Sequence, residues 1–162
     1  MRVVVCGGAG FLGSHVADAL SEAGHSVIVF DARPSPHLRP DQAGVVGDIL
    51  DPSQVAAAIK ECEVVYNFAG VSDIDEANVR PLNTIRTNIL GNTILLEAAR
   101  AERVKRFVFA STLYVYSEAG AFYRSSKQAC ELLIEKYREA YTLPYTILRY
   151  GSLYGDRADN KN

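Results

Sequence analysis

The sequence predicts a three-layer α/β fold in which a doubly wound parallel sheet, with expected strand order 3-2-1-4-5-6, carries helices on both faces. Three observations support it. Short apolar runs rich in β-branched and aromatic residues recur along the chain, segments of helical spacing separate most of them, and a glycine-rich turn joins the first run to the first helix. Right-handed crossovers make successive strands parallel, and strands buried on both faces read as continuous apolar runs.

The first strand is Val3-Val4-Val5, followed by Gly7 to Gly13 and a helix from Leu12 to Ala23 that carries Val16, Ala19 and Leu20 at helical intervals. Val27-Ile28-Val29-Phe30 makes the second strand. Ala32 to Ala43 contains Pro34, Pro36 and Pro40, which interrupt either regular element and predict a surface loop. A weaker strand is expected at Val45-Val46, a helix from Ser53 to Lys60 and a strand at Val64-Val65-Tyr66. A long helix over Leu82 to Arg100, a strand at Phe107-Val108-Phe109, a helix over Tyr123 to Tyr141 and a last strand at Thr146-Ile147-Leu148 complete the pattern.

A length of 162 residues suits one domain with a substantial core. Apolar residues make up 48%, charged residues 22%, and the formal net charge is -2. These values fit a soluble protein and supply no general attraction to nucleic acid or anionic membrane. No run approaches a membrane span, and Met1 to Val5 lacks the apolar stretch of a secretory signal. Cys6, Cys62 and Cys130 are scattered without paired spacing, so a cytoplasmic location is expected. His15, His25 and His37 have no metal-ligand spacing and read as surface or loop residues, so no metal site is expected.

Gly7-Gly8-Ala9-Gly10-Phe11-Leu12-Gly13 follows the first strand directly and enters the first helix. In such a turn Gly7 takes the tight backbone angles, Gly10 lets a pyrophosphate approach the main chain, and Gly13 lets helix and strand pack closely. The unpaired N–H groups and positive dipole end of the helix start favour a diphosphate there. With strand before, helix after and an acid downstream, this is a Rossmann-type dinucleotide site.

The acid is Asp31, ending the second strand at the position from which a carboxylate meets the adenosine ribose hydroxyls. Asp31 repels a 2′-phosphate and so favours NAD over NADP. Arg33, two residues on, would either bind a phosphate or stack on adenine. Asp48 is placed to accept a hydrogen bond from the adenine amino group, or alternatively to cap a helix ahead of Pro52, while Ile49 would cover the ring. Phe68-Ala69-Gly70 ends the fourth strand at the carboxyl edge, where small residues suit close approach of a ligand.

Tyr123 and Lys127 stand four residues apart on one helical face and can serve a single site. A phenol with an ordinary pKa of about 10 is a poor base at neutral pH, and two nearby positive charges, Lys127 and an oxidised nicotinamide, would favour its ionised form. The competing reading is a half-buried tyrosine beside a solvated lysine. Ser111-Thr112 ends the fifth strand and would present a hydroxyl nearby.

Taken together, the glycine turn, Asp31, Gly47-Asp48-Ile49, Asn67 to Gly70, Thr87 to Thr93 with Asn88, Ser111 to Tyr116, and Tyr123 with Lys127 resemble the NAD-dependent epimerase/dehydratase family of extended short-chain dehydrogenases/reductases. The resemblance covers that family's cofactor-binding half. It implies that Tyr123 is the acid/base, that Lys127 holds the nicotinamide ribose and tunes the phenol, and that Thr112 orients a nucleotide-sugar substrate. It implies NAD contacts from Gly7, Gly10, Phe11, Leu12, Gly13, Asp31, Arg33, Asp48, Ile49, Phe68, Ala69, Gly70, Asn88, Tyr123 and Lys127. The implied chemistry is hydride transfer through a keto-sugar intermediate, and the rival reading is a non-catalytic NAD-binding module.

Family 4,6-dehydratases carry Asp-Glu directly after the residue matching Thr112. Here Leu113 and Tyr114 stand there, which argues for epimerase or reductase chemistry. The Tyr116 to Tyr123 connection is shorter than the family's site-closing loop. Residues 1–155 are expected to form the NAD-binding domain and 156–162 a short tail where the family's substrate-binding lobe would begin, with the lobe itself absent. A homodimer paired through helices 82–100 and 123–141 is also implied, although Ile94, Leu95, Leu132, Leu133 and Ile134 would serve equally well against the sheet.

Overall fold

The computed structural model describes residues 1–158. Six parallel strands form one sheet in the order β3-β2-β1-β4-β5-β6, as the alternation predicts: β1 (Arg2–Cys6), β2 (Ser26–Asp31), β3 (Gln42–Val46), β4 (Val64–Asn67), β5 (Arg106–Thr112) and β6 (Tyr145–Tyr150). Central β1 pairs with β2 through Val4↔Ile28 and with β4 through Val4↔Val65. Its Val3, Val4 and Val5 are wholly buried, which is why they read as a continuous apolar run.

Alternate residues of β1 feed two cores. Val4 and Cys6 pack with Phe30, Phe107, Leu95 and Ile134 on one face, while Val3 and Val5 pack with Ala17, Val27 and Val108 on the other. Helix α1 (Phe11–Glu22) supplies Ala17 to the second face; α2 (Pro52–Ile59), α5 (Gly91–Ala101) and α6 (Ala121–Tyr141) cover the first. Leu95 and Ile134 are therefore core residues, whereas Leu132 stands exposed.

Several expected boundaries shift, and one element is new. Strand β3 begins at Gln42, so the proline-bearing loop ends before Ala43; Gln42 is held by side-chain hydrogen bonds to α1. A short helix α3 (Ile74–Val79), not anticipated, is capped by Asp73, whose carboxylate accepts from Glu76 N–H at 2.9 Å. The long helix expected over 82–100 begins one residue earlier as α4 (Pro81–Thr84), with Pro at a position where its missing N–H costs nothing, and widens into a π turn over Ile85–Leu90 before α5. Helix α6 begins at Ala121 rather than Tyr123. Among the described residues no helix is long and apolar enough to cross a membrane. Of the expected tail over 156–162, residues 159–162 lie outside the described part.

Candidate active site

Where the strand order reverses between β1 and β4, the carboxyl ends of the strands open into a groove of about 1300 Å³. Its lining includes every expected site residue except Asn88. The turn after β1 is set by backbone crowding. Gly7 has φ of +77°, and a Cβ there would lie 2.5 Å from Ala69 N; a Cβ on Gly13 would lie 2.2 Å from the Gly7 carbonyl oxygen. Gly10 caps α1 without a side chain to accept from the first helical N–H groups. Those donors, at the positive end of the helix dipole, border the groove beside Phe11 and Leu12.

Asp31 does two things with one carboxylate. Its Oδ2 accepts from Ala9 N–H at 3.0 Å, fixing the glycine turn, while its Oδ1 accepts from Arg33 N–H at 3.3 Å. The capping role weighed for Asp48 belongs to Asp51, which accepts from Ser53 and Gln54 N–H at the start of α2. Asp48 instead accepts from Leu50 N–H at 2.8 Å and lines the groove with Ile49. Ser14 neither caps α1 nor reaches the groove; it is buried and donates to the Phe11 carbonyl at 3.0 Å.

Asn88 is the one expected site residue outside the groove lining. It is buried on the π turn, where its Oδ1 accepts from Val71 N–H at 2.7 Å and its Nδ2 donates to the Val71 carbonyl and to Ser126 Oγ. Both ends of the amide are used within the protein, so Asn88 braces the segment after β4 and does not line the groove. Asn67 makes the companion brace, accepting from Ala69 N–H at 3.1 Å and donating to Asn92 Oδ1 at 2.9 Å.

At the other end, α6 sets Tyr123 and Lys127 one turn apart beside the end of β5. Lys127 is buried and donates from Nζ to the Ala110 carbonyl at 2.8 Å, with Nζ 4.8 Å from the centre of the Phe109 ring and 5.7 Å from that of Tyr123. Burial pushes its ammonium down to about 8. The Tyr123 phenol moves up: burial raises it, Tyr114 adds to the rise, and a hydrogen bond with the Thr112 hydroxyl pulls the other way. The phenol therefore stands above its ordinary value in the protein alone, whereas the expected lowering draws on Lys127 and a nicotinamide charge together. Desolvation dominates both side chains, and one of the three Lys127 N–H donors is used on the Ala110 carbonyl.

A second layer went unread in the sequence. Ser111 Oγ donates to Glu131 at 2.5 Å, and Glu131 pairs with Arg149 at 2.7 Å, which in turn donates to the Tyr116 hydroxyl. Burial alone would raise the Glu131 carboxyl, but the hydrogen bonds from Arg149 and Ser111 hold it below the usual range. The available signal was Glu131 one helical turn beyond Lys127 on the same face. Tyr114, Asp73, Asp75 and Arg157 also line the groove and were not anticipated there. The connection after Tyr116 is a tight turn in which Ser117 N–H donates to the Tyr114 carbonyl at 3.0 Å.

The sequence profile of the NAD dependent epimerase/dehydratase family matches residues 3–162. The chain belongs to this family. It is 33% identical over 180 aligned positions to the low-salt glycan biosynthesis protein Agl12 of Haloferax volcanii, covering 97% of this chain and 58% of that protein. The aligned positions outnumber the 162 residues of this chain, so the relative carries residues with no counterpart here. Among solved structures, UDP-glucose 4-epimerase of Thermotoga maritima with UDP-glucose superposes with a TM-score of 0.93 at 32% identity, covering 98% of this chain and 58% of that one. UDP-glucose 4-epimerase of Thermus thermophilus in complex with NAD gives 0.90 at 32% identity, with the same coverage. The chain therefore spans well under two thirds of the length of these proteins.

Proposed function

We propose that this chain is the cofactor-binding and proton-transferring part of an NAD-dependent nucleotide-sugar epimerase or related oxidoreductase. The observation that carries the reading is one groove with a diphosphate-suited glycine turn at one end and Thr112, Tyr123 and Lys127 together at the other. NAD fits the donor set. Helix α1 offers unpaired N–H groups where a Cβ would intrude, and Asp31 places negative charge where NADP would carry a 2′-phosphate. Bound NAD supplies a nicotinamide that accepts and returns hydride. Relatives solved with NAD or with UDP-glucose support the assignment of both ligand classes.

In this reading Tyr123 takes the proton of the sugar hydroxyl at its phenolic oxygen and returns it later, and the Thr112 hydroxyl orients the same sugar oxygen. Lys127 contributes positive charge that favours the phenolate and holds the cofactor's ribose. Because burial raises the phenol in the protein alone, the charge of the oxidised cofactor is needed to bring it into the working range. The Leu113-Tyr114 pair supplies no carboxylic acid and carboxylate at the dehydratase position, which favours epimerase or reductase chemistry.

Pairing of two copies is part of the proposal. Leu82, Ile85 and Leu90 on the 81–90 segment and Leu132 on the adjacent α6 are exposed, a set of apolar residues that a second copy would cover. The deciding experiment titrates NAD and NADP and then supplies a panel of UDP-sugars while following reduced cofactor and epimerised product. NAD binding with sugar-dependent reduction is expected, and Tyr123→Phe should abolish the second while keeping the first. Sugar-dependent reduction that survives in Tyr123→Phe overturns the catalytic assignment; NAD binding without any sugar reaction favours the binding-module reading.

A further inference from the structure

Two rims of the groove come from segments far apart in sequence, the 32–41 loop and 151–157, and Asp18 of α1 bonds the second directly and reaches the first through Gln42. Asp18 Oδ2 accepts from Arg157 Nη2 at 2.7 Å, and its Oδ1 accepts from Gln42 Nε2 at 3.1 Å. Gln42 passes the contact on: its Nε2 also donates to Ser21 Oγ, and its Oε1 accepts from Arg39 N–H at 3.2 Å, at the end of the loop that presents Arg33, Pro34 and His37 to the groove. On the opposite side His15, one turn earlier on α1, bonds the Asp156 carbonyl at 2.8 Å. The two side chains of the Asp18–Arg157 pair are 18% and 25% exposed, although Arg157 as a whole residue lies in an exposed segment.

Two further observations fit a held contact. Burial pushes the Asp18 carboxyl upward, yet hydrogen bonds from Arg157 and Gln42 keep it below the usual range. Arg157 has φ of +70°, a left-handed conformation that a non-glycine residue keeps when its surroundings hold it there.

We propose that Asp18 is a positioning residue that clasps both rims of the groove to α1, the helix whose N-terminus faces the groove, so that dinucleotide binding and docking of the 151–157 segment favour one another. This rests on the reading of the groove as a dinucleotide site. Asp18 acts at a distance from that N-terminus, through Gln42 and Arg157, and touches no ligand. Linkage requires reciprocity: if closed rims raise the affinity for NAD, NAD must raise the population of closed rims.

The test combines NAD titration calorimetry with hydrogen exchange of the 32–41 and 151–157 segments, in the wild-type chain, Asp18→Ala, Arg157→Ala, the double variant, and the charge swap Asp18→Arg with Arg157→Asp. Asp18→Ala should speed exchange in both segments and weaken NAD by about fivefold or more. Arg157→Ala should speed exchange in 151–157 alone, and the double variant should bind NAD no more weakly than Asp18→Ala. The swap should restore protection of 151–157 but not of 32–41, because an arginine cannot accept from Gln42 Nε2. NAD should slow exchange of 151–157 in the wild-type chain and not in Arg157→Ala. Additive losses in the double variant, NAD affinity within twofold of wild type in Asp18→Ala, or unchanged exchange in that variant would each overturn the clasp. A wild-type chain that binds no NAD strikes the reading of the groove and with it the linkage, whereas the exchange arms without NAD still decide whether Asp18 holds the two rims.

Discussion

At the β1–β2 end the groove presents mostly main-chain atoms, and the residues that shape it are those without side chains. At the β5–β6 end it presents side chains whose properties depend on burial. Gly7 and Gly13 act by leaving space, since a Cβ on either would strike backbone within 2.5 Å and 2.2 Å. In the proposed reading Tyr123 and Lys127 act by ionising, and burial pushes the phenol up and the ammonium down. The difference teaches what kind of damage each end tolerates. The first fails geometrically, with the fold; the second fails chemically, with the fold intact.

The largest expected contrast comes from breaking one residue at each end. Gly13→Ala sets a methyl against the Gly7 carbonyl and the Gly8 Cα, and neither is a flexible side-chain tip that can swing away. Overpacking against backbone should cost about 3 kcal/mol of stability and remove NAD binding, read by urea denaturation and calorimetry. Tyr123→Phe should leave the unfolding midpoint near wild type and lower sugar turnover by about 10²- to 10⁴-fold in a chain that turns over sugar. Retained NAD affinity in Gly13→Ala would erase the geometric half of the contrast.

That contrast also explains what the sequence revealed. The glycine turn, Asp31 and the strand order were legible because spacing alone encodes them: three glycines at fixed intervals, an acid at the end of the next strand, and runs of β-branched residues. Tyr123 and Lys127 were legible as positions, but the direction of their titration was not, since it depends on the Phe109 ring and the Ala110 carbonyl that only the folded sheet brings to Lys127. Asn88 sits in a motif that resembles the family's and still faces inward, because the π turn and the path of Val71 set where its amide points. Helix α3 was missed because six residues hold too little apolar periodicity to register, although Asp73 three residues before Glu76 was a readable cap.

A smaller effect sharpens the chemical half. Lys127 titrates near 8 in the folded protein against 10.5 as a free side chain, so at pH 7 its buried charge opposes folding by about 3 kcal/mol. Lys127→Met removes that penalty and also strands the Ala110 carbonyl, at a cost of about 1–2 kcal/mol, leaving a net gain of about 1–2 kcal/mol at pH 7. The sign follows from proton counts. Between pH 8 and 10.5 the folded lysine loses its proton while the unfolded one keeps it, so the wild-type chain regains stability as pH rises and the advantage of the variant shrinks. Urea midpoints at pH 7 and pH 10 measure it. An advantage of equal size at both values would mean that burial of charge is not what perturbs Lys127.

The smallest effect tests whether any residue belongs to both kinds of end. Asp31 is a charged side chain, yet one of its oxygens is committed to the main chain of the glycine turn at Ala9. Asp31→Asn keeps an acceptor for Ala9 N–H and removes the charge, so the turn should persist and the fold should change by less than about 1 kcal/mol. NAD affinity should fall by less than about fivefold, since a neutral amide still hydrogen-bonds ribose hydroxyls. NADP affinity should rise by about tenfold, because the repulsion of a 2′-phosphate is gone and Arg33 borders the same part of the groove. Asp31→Ala separates the two roles further, losing NAD affinity through the turn as well as the ribose. Parallel titrations of both dinucleotides with both variants read the split. If NADP gains nothing in Asp31→Asn, the carboxylate serves the turn alone, and selectivity at this end is geometric like the glycines beside it.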